Sequence, residues 1–279
     1  MTEEATASIR CGDDLRSRIP GDYLCIADPV CQGPVHDEPI PAYVSTRAGF
    51  VAAHYAHDVG AVRARLGTEY AALRGLTRYA RVLLWFEGDL WDQAVLLRVL
   101  SLLADLPALA GRLFLMPSDG LRPFAHLPQD ERDALDPEPL PWSAVEAGAE
   151  AWRAFTASDP TPLDALSRRS LPFPHMARAL RRHLQDLPWT SDGLALTERL
   201  VLRAVSEGAR SEAALVERLG LSDPAFHLTD LILRDVLARL RGGTGRLITR
   251  DPPHALTPRG KPCCPARNGT SPPHGSSAA

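Results

Sequence analysis

Trp85-Phe86-Glu87-Gly88-Asp89-Leu90-Trp91-Asp92-Gln93 lies between two apolar runs. The run before it, Arg81-Val82-Leu83-Leu84, reads as a buried strand. The run after it, Ala94-Val95-Leu96-Leu97-Arg98-Val99-Leu100-Ser101-Leu102-Leu103, reads as a helix. Three carboxylates and an amide therefore fall in a strand-to-helix turn, where α/β proteins place their chemistry. The stretch locates a site without naming a reaction.

Three more segments outward from this turn read as strands: 8–11, 23–26 and 112–116, with the third strand at 81–86. Strands alternating with helices predict βαβ units and a mostly parallel sheet. A helical insert over 42–76 separates the second and third strands. Its apolar residues, among them Phe50, Val51, Tyr55, Val59, Val62, Leu66, Tyr70 and Leu73, recur every three or four positions. Residues 117–141 are rich in Pro and Asp and read as irregular. Ser143-Ala144-Val145-Glu146 matches a capping box for a helix running to Ala157. Another helix is expected over 172–187, with Arg178, Arg181, Arg182 and His183 on its polar side.

The C-terminal part predicts helices over 197–207, 211–220 and 225–240. Two short strands, 246–249 and 254–257, follow around Pro252-Pro253. Three helices and a hairpin is the order of a winged helix-turn-helix. The fold class read from the sequence is therefore α/β. A small, mostly parallel sheet flanked by helices is followed by a helical bridge and a winged-helix-like C-terminal domain. The divisions are 1–125 (α/β domain with its insert), 126–190 (bridge), 191–261 (winged-helix-like) and 262–279 (disordered tail).

Bulk properties narrow the function classes. The 279 residues suffice for a sizeable core. A formal net charge of −3 gives no electrostatic case for a protein that coats nucleic acid. Lys261 is the only lysine, so no lysine-based phosphate cradle is available. No window approaches the roughly 18 consecutive apolar residues of a membrane span. The acidic start, Met1-Thr2-Glu3-Glu4-Ala5, lacks the apolar core of a signal peptide. Cys11, Cys25, Cys31, Cys263 and Cys264 are odd in number and form no disulfide-like framework. A reducing, cytoplasmic compartment is the expectation, with no membrane partner. The dinucleotide fingerprint, the nucleophile elbow and His-Glu-x-x-His are all missing.

In a parallel sheet the strand C-termini share one edge. The loops there would carry Cys11-Gly12-Asp13-Asp14, then Asp28-Pro29-Val30-Cys31-Gln32-Gly33-Pro34, then Glu87, Asp89, Asp92 and Gln93, then Ser118-Asp119-Gly120. The candidate ligand-binding residues are Gly12, Asp13, Asp28, Gln32, Gly33, Glu87, Asp89, Asp92 and Gln93. Asp28, Glu87 and Asp89 are candidate ligands for Mg²⁺ or Mn²⁺, cations that take hard oxygen donors. Gln32 and Gln93 would orient substrate, and Gly12 and Gly33 would allow close backbone approach. A plainer reading also fits. Asp13 and Asp89 suit helix N-caps, and Pro29 with Gly33-Pro34 suits a turn.

Between Leu196 and Lys261 there are eleven Lys/Arg against eight Asp/Glu, a local net of +3. The expected recognition helix offers Arg234 and Arg239 but also Asp230 and Asp235, which would oppose phosphates. Nucleic acid is therefore not the favoured partner.

The three motifs Ile9-Arg10-Cys11-Gly12-Asp13-Asp14, Ala27-Asp28-Pro29-Val30-Cys31-Gln32-Gly33-Pro34-Val35 and Trp85 through Gln93 together resemble a bacterial family, domain of unknown function 1835. The segment 194–260 resembles domain of unknown function 3658, its frequent C-terminal companion. The resemblance carries no activity over. It departs at Gly88, where the family often has His, so a proton-carrying histidine at that position is missing.

Two functions are expected from these features. One is a ligand-binding protein or metal-assisted enzyme acting on a phosphorylated or nucleotide-like small molecule at the strand-end crevice. The other is a non-enzymatic regulator whose winged-helix-like domain contacts DNA or a protein partner.

Overall fold

A computed structural model describes residues 5–19, 21–242 and 245–260. Lys261, Cys263, Cys264 and the tail expected at 262–279 lie outside the described residues. Contacts between Cα atoms divide the chain into two units: Met1–Leu196 with Gly220–Leu228, and Thr197–Leu219 with the chain from Thr229 onward.

The first unit is built on a five-stranded sheet in the order β2-β1-β3-β4-β5. Its strands are β1 (Thr6–Arg10), β2 (Asp22–Cys25), β3 (Arg81–Trp85), β4 (Leu113–Leu115) and β5 (Glu138–Pro139). β1 pairs in parallel with β2 and β3, and β3 with β4; only the two-residue β5 is antiparallel. The four expected strands are present, and β5 adds a short edge inside the stretch read as irregular.

Side chains alternate across a strand, and the two faces differ here. Ala7, Ile9, Val82 and Leu84 enter a large core shared with α1 (Ile40–Tyr55), α2 (Val59–Ala72) and α3 (Leu90–Leu103). The same core takes Trp152 and Phe155 of α5 (Trp142–Phe155), Leu163 of α6 (Thr161–Ser167) and Met176 of α7 (Met176–Gln185). The helices read as a bridge thus pack into the same core as the sheet. On the opposite face a small cluster of Trp85, Met116, Leu15 and Phe124 is backed by Tyr23, Leu83 and Leu127. Loops and the short α4 (Gln129–Asp133) cover that side, not long helices.

Local chemistry explains where helices start and where expectations miss. Asp89 caps α3, accepting hydrogen bonds from the backbone N–H of Trp91 (2.8 Å) and Asp92 (3.2 Å). The single long insert is two helices. Ala56 takes a left-handed conformation (φ 56°) that ends α1, and Asp58 caps α2 through the Ala61 N–H. The capping box at Ser143 is not used: α5 starts one residue earlier behind Pro141, with no side-chain cap. Pro141 holds the N-cap position itself with φ −67° and ψ 150°, the extended conformation of a helix entrance, and brings no side-chain acceptor.

The second unit holds most of α8 (Leu196–Ser206) and α9 (Glu212–Ser222), with α10 (Asp230–Arg241) after them. Ser211 accepts from the Ala214 N–H at the start of α9, and α9 passes through Gly220 rather than stopping there. The two expected strands reduce to one antiparallel bridge, Ile248 with Leu256, flanked by Thr249 N–H to Ala255 O at 2.8 Å. Among the described residues no helix is long and apolar enough to cross a membrane.

Candidate functional site

The strand order makes β1 the point where the chain reverses direction across the sheet: β2 lies on one side of it, β3 on the other. Such a switch point parts the loops that follow the two flanking strands and opens a crevice between them. Here those loops are Cys11-Gly12-Asp13-Asp14 after β1 and Phe86 through Asp92 after β3.

Arg10, the last residue of β1, ties the two loops together. Its guanidinium has five N–H donors, and five acceptors meet them. Asp14 takes Nε and Nη2, both at 2.8 Å; Glu87 takes Nη2 at 2.7 Å; Asp92 and the Trp85 carbonyl take Nη1 at 3.1 and 3.2 Å. The carboxylates are fixed in turn. Glu87 Oε1 accepts the Phe124 N–H at 2.8 Å, Asp92 accepts the Glu87 N–H at 2.7 Å, and Gln93 donates to the Glu87 carbonyl at 2.7 Å.

Three carboxylates thus share one positive charge, and that sets their proton affinities. Against its own desolvation, Arg10 is held above the ordinary arginine range by Asp14, Asp92 and Glu87. Desolvation pushes Asp92 and Glu87 upward, reinforced by the nearby charge of Asp89, and the shared Arg10 only partly offsets this. Asp14, more open to solvent, goes the other way: its Arg10 pair outweighs desolvation and lowers it. Cys11 and Cys31 are both half-buried and free; besides burial, Cys11 feels the charges of Asp92 and Asp89, and Cys31 that of Asp89. Burial raises both thiols well above their ordinary value, so neither is an activated nucleophile.

The second strand's motif has a different task. Asp28 is fully buried; it accepts Tyr43 Oη at 2.9 Å, Tyr70 Oη at 2.8 Å and Arg47 Nε at 2.9 Å, with Arg47 Nη2 at 2.8 Å. Arg47, on α1, also donates to the carbonyls of Pro29, Gln32 and Pro34. The Asp28–Pro34 loop is therefore wrapped around one guanidinium. Gln32 accepts from Tyr55 Oη. Gly33 has φ 67°, and a Cβ there would lie 2.4 Å from the Phe50 ring, which occupies the space proposed for a ligand.

The sequence-derived set thus separates into groups. Gly12, Glu87, Asp89, Asp92 and Gln93 lie in or just beyond the loops that follow β1 and β3. Asp13 is exposed and pairs with Arg16. Asp28, Gln32 and Gly33 build the Arg47 loop. The Mg²⁺ or Mn²⁺ triad is corrected accordingly. Asp28 is spent on Arg47 and two tyrosines, Glu87 on Arg10 and Phe124, and Asp89 on the α3 cap. Among the described residues no three His, Cys, Asp or Glu side chains are placed to share a metal ion.

Several participants are not marked as such in the sequence. Arg10 stands in the first quoted motif but was not singled out there, and Arg47 follows Ser45-Thr46 with nothing in the sequence to mark it as buried against a carboxylate. Gly88 has no room for a side chain: an added Cβ would lie 2.8 Å from both the Gly120 Cα and His175 Cγ. His175 lies 2.9 Å from the Ser118 carbonyl, and Arg178 donates to the carbonyls of Gly88 and Gly120, both at 3.1 Å. Arg178 and the buried Arg182 were expected on the polar side of their helix. Arg182 is instead held by Asp186 and Asp223.

In the second unit both arginines singled out on the candidate recognition helix are engaged. Arg234 pairs with Glu212 and Asp230, and Arg239 with Glu198 at 2.8 Å. No protein-family model, curated protein or solved structure matches this chain, so the resemblance to domains of unknown function 1835 and 3658 stands on the quoted motifs alone.

Proposed function

We propose that this chain is a small-molecule-binding protein whose ligand sits in the β1–β3 crevice, against Cys11, Gly12 and Asp89, above the Arg10 network. The observation that carries the reading is the coincidence of the topological switch point with two acidic loops joined through Arg10. The kinship with domain of unknown function 1835 belongs to the same proposal.

Charge shapes the ligand class. All five Arg10 donors are taken, and Asp89 adds a further negative charge. A bare phosphate would meet carboxylates first. A phosphorylated or nucleotide-like ligand would therefore present its hydroxyl and amino donors to the rim, as a nucleoside does, and keep its phosphate outside. For the C-terminal segment we propose a winged-helix-like packing element. The pairing of Arg234 and Arg239 leaves the DNA-contact alternative without a basic stripe to rest on.

The test is a thermal-shift and calorimetric screen of the full chain with nucleosides and the matching monophosphates. Nucleosides are expected to bind more tightly, and binding is expected to fall in Asp89→Ala and Cys11→Leu. Tighter binding of the monophosphates, binding that ignores both substitutions, or no binding of either class would overturn the proposal.

A further inference from the structure

A second concavity lies away from the strand ends, against the middle and C-terminal half of α3. It is a cleft of about 640 Å³ walled by Ile40, Leu73, Leu102 and Leu106, with Asp37, Glu38, Arg74, Arg98 and Asp105 among its polar lining. That volume is within the usual range for small-molecule sites.

Arg98 is the anomaly. It is 2% exposed, and its Nε and Nη2 are buried with no hydrogen-bond partner. Arginine stays charged in proteins, so burial does not neutralise it. What surrounds it is aromatic: the guanidinium lies 4.0 Å from the Tyr43 ring centroid, 4.9 Å from that of Trp152 and 5.7 Å from that of Tyr70. Ring faces attract a cation but accept few of its N–H groups. A desolvated guanidinium held in a cage and left without acceptors is a receptor for an anion, preferably one with two oxygens.

The same cleft holds the opposite imbalance. Glu38 Oε2 is buried without a partner, and Asp105 is exposed at the lining. Asp37 already accepts from Trp152 Nε1 at 3.0 Å. Three carboxylates against two arginines give the lining a formal net charge of −1. A dianion such as phosphate is disfavoured there. A ligand with one carboxylate and one ammonium, joined to an apolar group, matches every unpaired feature.

We propose that this cleft binds a small zwitterion of the free amino-acid class. Its carboxylate sits on Arg98, its ammonium group on Glu38 and Asp105, and its apolar side chain against Ile40, Leu73, Leu102 and Leu106. The site is independent of the strand-end crevice.

Calorimetry of the full chain with L-leucine, L-methionine, isocaproate, isoamylamine and inorganic phosphate tests it. The two amino acids bind, while the carboxylate alone, the amine alone and phosphate bind at least about tenfold more weakly. Arg98→Met weakens amino-acid binding about a hundredfold, as expected for loss of a desolvated charge pair. Glu38→Gln weakens it less, and Ser101→Trp, which fills the cleft while keeping both charged residues, abolishes it. Asp89→Ala, at the other site, leaves it unchanged. If Arg98→Met does not fold, the Glu38→Gln and Ser101→Trp results decide. Phosphate binding as tightly as the amino acids, amino-acid binding that survives Ser101→Trp, or no amino-acid binding at all would overturn the proposal.

Discussion

Arg47 and Arg98 are both buried, one sharing Asp28 with the Tyr43 and Tyr70 hydroxyls and the other set against the rings of the same two tyrosines, yet they live under opposite rules. Arg47 meets the hydroxyl side of those rings: the two phenols and the guanidinium converge on Asp28, and three loop carbonyls take its other donors. Arg98 meets the ring faces and has no carboxylate or carbonyl among its partners. Arg10 follows Arg47, with five acceptors for five donors. A buried cation with a complete set of partners is part of the frame. One without them marks where the molecule is unfinished on its own.

The sharpest way to break this comparison is to remove the anion from the satisfied side. Asp28→Ala leaves Arg47 charged and buried opposite two unpaired phenols, and is expected to lower stability by about 3–5 kcal/mol in denaturant titration. A loss below 1 kcal/mol would mean that the pair is not structural. Gly33→Ala probes the same loop from its outer side. The added methyl meets the Phe50 ring and the backbone conformation opposes it, so a loss of about 1–3 kcal/mol is expected. Unchanged stability would return Gly33 to the role of a ligand-approach glycine.

The smallest effect concerns pH at the rim. Asp92 and Glu87 hold protons more tightly in the native chain than when unfolded. Between the ordinary carboxylate range near pH 4 and their native values, the folded state therefore binds more protons. Their contribution to stability is present in acid and is lost as pH rises through that window. Asp14 contributes the opposite slope, because its native proton affinity is lowered. Asp92→Asn keeps the acceptor for the Glu87 N–H and removes the titration, so the variant's stability–pH curve is expected to fall less steeply toward neutrality than that of the parent. A steeper fall in Asp92→Asn would contradict the charge arrangement.

Much of the sheet was legible because buried parallel strands are short, apolar and followed by capping residues, as Arg81–Trp85 and Asp89 illustrate. Helix boundaries were less so. Nothing in the apolar period announces the left-handed Ala56, and the capping box at Ser143 competes with Pro141, which starts the helix without a side chain. The candidate site was legible as a place but not as a set of bonds. Sequence puts Asp28, Glu87 and Asp89 in loops at one edge, but says nothing of the arginines that wait for Asp28 and Glu87. Arg98 did leave a signal: it is the one charge in the apolar run from Ala94 to Leu103, on a helix buried around most of its circumference.

The most direct test sets Arg47→Met beside Arg98→Met in the full chain and compares their unfolding free energies without added ligand. Arg47→Met is expected to lose several kcal/mol, because Asp28 stays buried without its cation. Arg98→Met is expected to lose nothing or to gain about 1 kcal/mol, since it removes an unpartnered charge and keeps an apolar chain between the rings. Equal losses in the two variants would contradict the account, for Arg98 would then be as much a part of the frame as Arg47.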